Sequence, residues 1–234
     1  MGTYDLKKPE EVKEYLKNLH IEYKFGCYSE KNPEVCHLLG DFTESIKKDF
    51  KKAALLYKAN CDERNYPRSC RKFGDYSLIG KGCATDMRVA YKYLTKACEL
   101  GDSKACYHGG VLAVSTEECD DKGRAAQVTA GMNLLKKACE ENFEPSCFHL
   151  SGIYLTGIEE QIDKNLKEAY KLSLKCCEMG NPYACANLSQ MHARGDGVQK
   201  NPELADTFKQ RAKMLHDELR KFKRPVTFQS GIDP

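Results

Sequence analysis

Ten of the thirteen cysteines fall into five pairs at nearly constant spacing. Cys27 with Cys36 and Cys61 with Cys70 are nine positions apart; Cys98 with Cys106, Cys139 with Cys147 and Cys177 with Cys185 are eight apart. Free thiols used as small apolar side chains would not need such constancy. Covalent staples do, so the pairs are read as five disulfides. Other chemistry is mostly withheld. There is no C-x-x-C for dithiol exchange and no C-x-x-C-H for haem attachment. The recurring C-x-H (Cys106 and His108, Cys147 and His149) fails as a metal pair. Residues two apart on a helix diverge, and an oxidised cysteine cannot ligate zinc. Ser45-Ile46-Lys47-Lys48 satisfies S-x-x-K, but neither S-D-N nor K-T-G accompanies it. No catalytic residue and no metal site are therefore assigned.

Such pairs need elements that bring each second cysteine back to the first. Lys96-Ala97-Cys98-Glu99, Lys137-Ala138-Cys139-Glu140 and Lys175-Cys176-Cys177-Glu178 align, and Lys58-Ala59-Asn60-Cys61 is a looser copy. Upstream, Ala90, Tyr91, Leu94, Ala97 and Cys98 form an apolar stripe of helical period. Downstream, Leu100-Gly101-Asp102, Met179-Gly180-Asn181 and Asn142 supply left-handed helix ends. Pro33, Pro67, Pro145 and Pro182 open the next helix, where a missing N–H is harmless. The unit is helix, tight turn, helix, loop. The turn lets the paired Cα atoms approach to about 5.5 Å, as a disulfide requires. A closed loop this short contributes on the order of 2.5 kcal/mol per bridge in the chain-entropy picture.

The prediction is an all-α chain: an α-solenoid of five disulfide-stapled helix-turn-helix repeats. The units span 9–43, 46–82, 86–118, 123–161 and 163–199, with a C-terminal capping helix at 201–222. Residues 1–222 are expected to form one solenoid and 223–234, with Pro225, Gly231 and Pro234, a flexible tail. The 37 basic and 34 acidic residues are finely mixed, which argues against nucleic acid or an anionic membrane as main partner. No apolar run reaches the length of a membrane span. The segment MGTYDLKKPEEVKEYLKNL has no apolar signal core and carries early acids. Disulfides persist in oxidising compartments. The mitochondrial intermembrane space, where oxidation itself retains paired-cysteine helical proteins, reconciles both observations and is the expected location.

The run KACELGDSKAC, with Gly195, Gly197 and Val198 ahead of the next helix, resembles a Sel-1-like repeat, a relative of the tetratricopeptide repeat. Among stapled repeat proteins the chain is most similar to the cytochrome c oxidase assembly factor 7 family. CYSEKNPEVC, NCDERNYPRSC, YACANLSQM and the tail RPVTF carry that resemblance. It implies a monomeric assembly factor or chaperone scaffold for respiratory complex IV. Copper metallochaperones would bind a concave repeat surface, and the oxidative import machinery would be a further partner. Two rival expectations are a thiol-disulfide oxidoreductase acting on metallochaperone cysteines and a secreted cysteine-rich interaction protein. Cys83, Cys119 and Cys176 lie outside the five pairs; Cys176 occupies a small packing position, and the acids around Cys119 should raise its thiol pKa. No cofactor is required by this reading. The haem-copper context makes Met191 and His216 the candidate haem ligands.

Overall fold

A computed structural model describes residues 4–5, 7–115, 119–121 and 123–222. The predicted tail 223–234 lies outside the described residues, as does the 118 boundary of the third unit. Among the described residues there are eleven helices, and the only β pairing is an isolated bridge between Ile158 and Ile162. The helices are α1 (Pro9–Tyr28), α2 (Pro33–Ser45), α3 (Phe50–Arg64), α4 (Pro67–Ile79), α5 (Met87–Glu99), α6 (Ser103–Val114) and α7 (Arg124–Glu140). They continue as α8 (Glu144–Thr156), α9 (Leu166–Glu178), α10 (Pro182–Arg194) and α11 (Pro202–Phe222). The chain divides into two compact units, the second beginning at Cys139.

Local chemistry sets each helix end. Asn32, Asp49, Asp86, Asp102, Asn165 and Asn181 precede helices, and their side chains accept backbone N–H groups of the first turn. Pro33, Pro67 and Pro182 are the first residues of α2, α4 and α10. At the end of α5 the Gly101 N–H donates to the Cys98 carbonyl and the Asp102 N–H to that of Ala97. The same bonds recur after α9, from Gly180 to Cys177 and from Asn181 to Cys176. This is a Schellman closure, and its positive φ of +93° at Gly101 and +92° at Gly180 suits glycine. Asn65 and Asn142 take the left-handed role elsewhere, at +51° and +62°.

In the first unit α3 packs on α2 and α5 on α4, as the repeat demands. The packing is close because a small residue sits four positions after each second staple cysteine. A Cβ added at Gly40 would lie 2.4 Å from the Tyr57 ring, at Gly74 2.8 Å from Leu94, and at Gly110 2.7 Å from Leu135. Each large partner lies four residues before the first cysteine of the following pair. In the second unit the matching pair is Ser151 and Ser173, both buried, with hydroxyls 3.3 Å apart. There α9 packs on α8, and α11 on α10, where the Ser189 hydroxyl donates to the Ala205 carbonyl. Most of α11 away from that contact is exposed.

Candidate functional site

Each predicted staple forms, joining α1 to α2, α3 to α4, α5 to α6, α7 to α8 and α9 to α10. The first cysteine is in the last turn of one helix and the second is the fourth residue of the next, with Cα atoms 4.5 to 4.8 Å apart. None of the ten residues is more than 4% exposed. The sulfurs are therefore shielded in the folded state.

A second device shares these junctions. The Lys96 ammonium donates to the Cys61 carbonyl at 2.9 Å, Lys137 to Cys98 at 2.8 Å, and Lys175 to Cys139 at 2.6 Å. On the capping helix Arg211 donates to Cys177 at 3.3 Å. Each acceptor is among the last carbonyls of its helix, which have no partner within the helix. Each already accepts one N–H from the turn that follows, of Asn65, Gly101, Asn142 and Gly180 in that order, so the cation takes the carbonyl's second lone pair and meets the negative end of the helix dipole. Each lysine sits two positions before the first cysteine of the next pair. The aligned Lys-x-Cys-Glu segments carried this signal, but repetition alone does not say that the lysine reaches backward.

The three unpaired cysteines have different settings. Cys83 is half-buried, its sulfur 3.9 Å from the Ser77 hydroxyl. Cys119 is buried, and its N–H donates to the Gln127 side-chain oxygen at 2.9 Å. Burial, then the Asp120 charge, pushes its thiol up to about 11. The sequence named the acidic neighbours; the larger cause is burial. Cys176 is wholly buried, and burial followed by Glu144 pushes it up to about 12. High thiol pKa and enclosure both suppress nucleophilicity.

Met191 is buried in α10, whereas His216 is exposed on α11. The histidine that α10 buries is His192, whose ring stacks on Phe208 at 5.6 Å and lies 3.2 Å from the Tyr170 hydroxyl. Its Nδ1 is buried without a hydrogen-bond partner. Nothing in the sequence separates His192 from an ordinary surface histidine.

In the first unit a polar cluster joins three helices. Glu44 accepts from Lys72 at 2.7 Å and Lys81 at 2.5 Å, and the buried Tyr57 hydroxyl donates to Asp41 at 2.6 Å. Burial alone would raise the Glu44 carboxyl, but the two lysine bonds prevail and hold it at about 2. Asp41, Glu44 and Tyr57 thus each have a partner within the cluster. No described helix is long and apolar enough to cross a membrane.

The Sel1 repeat family matches at residues 33–61, 67–102, 145–181 and 182–205, a frame that starts on the second helix of a stapled pair. Two solved structures share the fold. A Sel1 repeat protein from Oxalobacter formigenes has a TM-score of 0.72 at 19% identity, covering 87% of this chain and 82% of that one. A protective antigen of uropathogenic Escherichia coli has a TM-score of 0.73 at 18% identity, covering 86% of this chain and 42% of the antigen. Full-length relatives are nearer in sequence. The Drosophila melanogaster cytochrome c oxidase assembly factor 7 homolog is 42% identical, covering 98% of each chain. The Xenopus tropicalis factor is 41% identical over 97% of this chain and 98% of its own. The Homo sapiens factor is 37% identical over 97% of this chain and 99% of its own. With its Sel1 repeats and this end-to-end identity, the chain belongs to the cytochrome c oxidase assembly factor 7 family.

Proposed function

We propose that this chain is an assembly factor for cytochrome c oxidase, acting in mitochondria as a non-enzymatic scaffold. The observation that carries the scaffold reading is the burial of all ten staple cysteines, none more than 4% exposed. Thiol-disulfide exchange requires a thiolate to reach a sulfur along its bond axis, which a closed junction resists. A stapled, cross-locked hairpin instead offers a surface on a fixed backbone, which lowers the entropic cost of binding. The finer reading is a protein of the intermembrane space that holds copper metallochaperones on its repeat surface while they load the oxidase. No haem is needed for that role, and Met191 and His216 have no step assigned to them.

Two measurements test this. Removing the chain from mitochondria should lower fully assembled cytochrome c oxidase while other respiratory complexes persist; an unchanged oxidase level overturns the assembly role. Purified chain mixed with an oxidised copper metallochaperone and reduced glutathione as the electron source should form a complex without speeding the appearance of metallochaperone thiols beyond glutathione alone. Faster release of those thiols, with glutathione disulfide formed in step, would overturn the non-enzymatic reading in favour of disulfide exchange.

A further inference from the structure

The first unit contains a groove of about 470 Å³ between α4 and α6, and no staple or inter-repeat lysine contributes to it. Its volume falls within the range typical of small-molecule sites. Leu78 and Ile79 of α4 face Val111 and Leu112 of α6 along its walls. Ile79 is 69% exposed although it borders an apolar recess. At the other end Asp75 and His108 also line the groove. They lie one helical turn before the apolar residues on their respective helices.

These two side chains form a defined pair. The His108 Nδ1 is 2.6 Å from an Asp75 carboxylate oxygen, and the other Asp75 oxygen accepts from Arg71 at 3.2 Å. A carboxylate only accepts, so the Nδ1 carries the proton. In the neutral ring the Nε2 is then left as a lone-pair acceptor, and it has no partner among the described residues. Arg71 is shared with Asp102 at 3.0 Å, which fixes the carboxylate from behind. A carboxylate that orients a histidine and leaves its far nitrogen open is the arrangement by which proteins present an imidazole to a ligand.

We propose that this groove is a binding site for a small amphiphile, with an aliphatic body along the α4–α6 walls and a hydrogen-bond-donating head, hydroxyl or ammonium, on the His108 Nε2. The walls account for affinity and the single acceptor for orientation. The carboxylate behind the ring disfavours an anionic head.

The test uses the full oxidised chain at pH 8 and a series of probes with one C8 body: 1-octanol, octylamine, octanoate and methyl octyl ether. Binding is followed by the methyl NMR shifts of Leu78, Val111 and Leu112. Octanol and octylamine should give saturable shifts, with octanoate and the ether at least tenfold weaker, about 1.4 kcal/mol. His108→Phe should bring octanol down to the level of the ether. Ile79→Lys, a change at an exposed position that leaves folding intact, should weaken every probe. Equal binding of all four heads, or octanol binding unchanged in His108→Phe, would reduce the groove to an unspecific apolar surface and overturn the proposal. So would the absence of saturation with any probe, or tighter binding of octanoate than octanol.

Discussion

Adding one methyl group to two different glycines should move stability in opposite directions. Gly40 of α2 and Gly152 of α8 are both in helix interiors, where Gly→Ala on its own favours the helix by about 1 kcal/mol. At Gly152 a Cβ meets nothing within 4 Å, so that gain should appear almost undiminished. At Gly40 the Cβ would lie 2.4, 2.9 and 3.0 Å from three Tyr57 ring atoms. The ring must retreat by roughly an ångström to restore ordinary contact, and it is fully buried with nowhere to go. Its hydroxyl also donates to Asp41 at 2.6 Å and contacts Glu44 at 3.1 Å, so retreat stretches bonds to charged acceptors.

Overpacking of this kind costs about 1–3 kcal/mol. Weakening a hydrogen bond to a charged group adds about 1.5 kcal/mol or more. After the helix gain is subtracted, Gly40→Ala should destabilise the first unit by about 2–3 kcal/mol. Urea unfolding of oxidised protein measures this, read as a shift in midpoint at constant slope. A stabilised or neutral Gly40→Ala, or a Gly152→Ala loss as large as that at Gly40, would refute the claim that inter-helix distance is set at the residue four after each second cysteine.

Other outcomes follow from single sites. Burial pushes His37 down to about 4, against the pull of Asp41. Its contribution is complete above the ordinary value of 6.5 and lost as pH falls from there toward 4; His37→Gln should flatten stability across that window in pH-resolved denaturation. Glu44, held at about 2 against an ordinary 4.5, loses its contribution at lower pH, between those two values, and Glu44→Gln should remove that second slope. Under native, non-reducing conditions iodoacetamide should label half-buried Cys83 first, leaving Cys119 and Cys176 until the chain unfolds, as peptide mass mapping would show.

The sequence showed the staples because their geometry is local. Nine or eight intervening bonds and one turn determine whether Cys98 meets Cys106, and the turn residues Gly101 and Asp102 lie between them. Helix ends were legible for the same reason, since Pro67 and Asn181 act on their own helix. What escaped notice depends on one hairpin meeting the next. Gly40, Gly74, Gly110, Ser151 and Ser189 are all small and all four positions after a second cysteine, a visible pattern whose meaning appears only when Tyr57 or Leu135 arrives from the following helix. The Asp75–His108 pair has no such signal. Its partners are 33 residues apart, and neither the C-x-H spacing nor the charge pattern links them.

The staple and the lysine act on the same residue, and that predicts coupling between them. The Cys98 carbonyl takes the Lys137 ammonium while the Cys98 sulfur is fixed to Cys106. The bond therefore anchors the last turn of α5 at the point that the lysine must reach. With the staple cut, this helix end is free to fray, and the ammonium has a moving target. Lys137→Met in oxidised protein removes one charge-assisted bond, about 1.5 kcal/mol. In a Cys98→Ser, Cys106→Ser background the same change should lose less than half of that. A double-mutant cycle in urea isolates the difference, and independent sites would add to within about 0.3–0.5 kcal/mol. Strict additivity would mean that stapling within a hairpin and locking one hairpin to the next are separate devices. A coupling beyond that limit makes oxidation of each hairpin a condition for its firm attachment to the next.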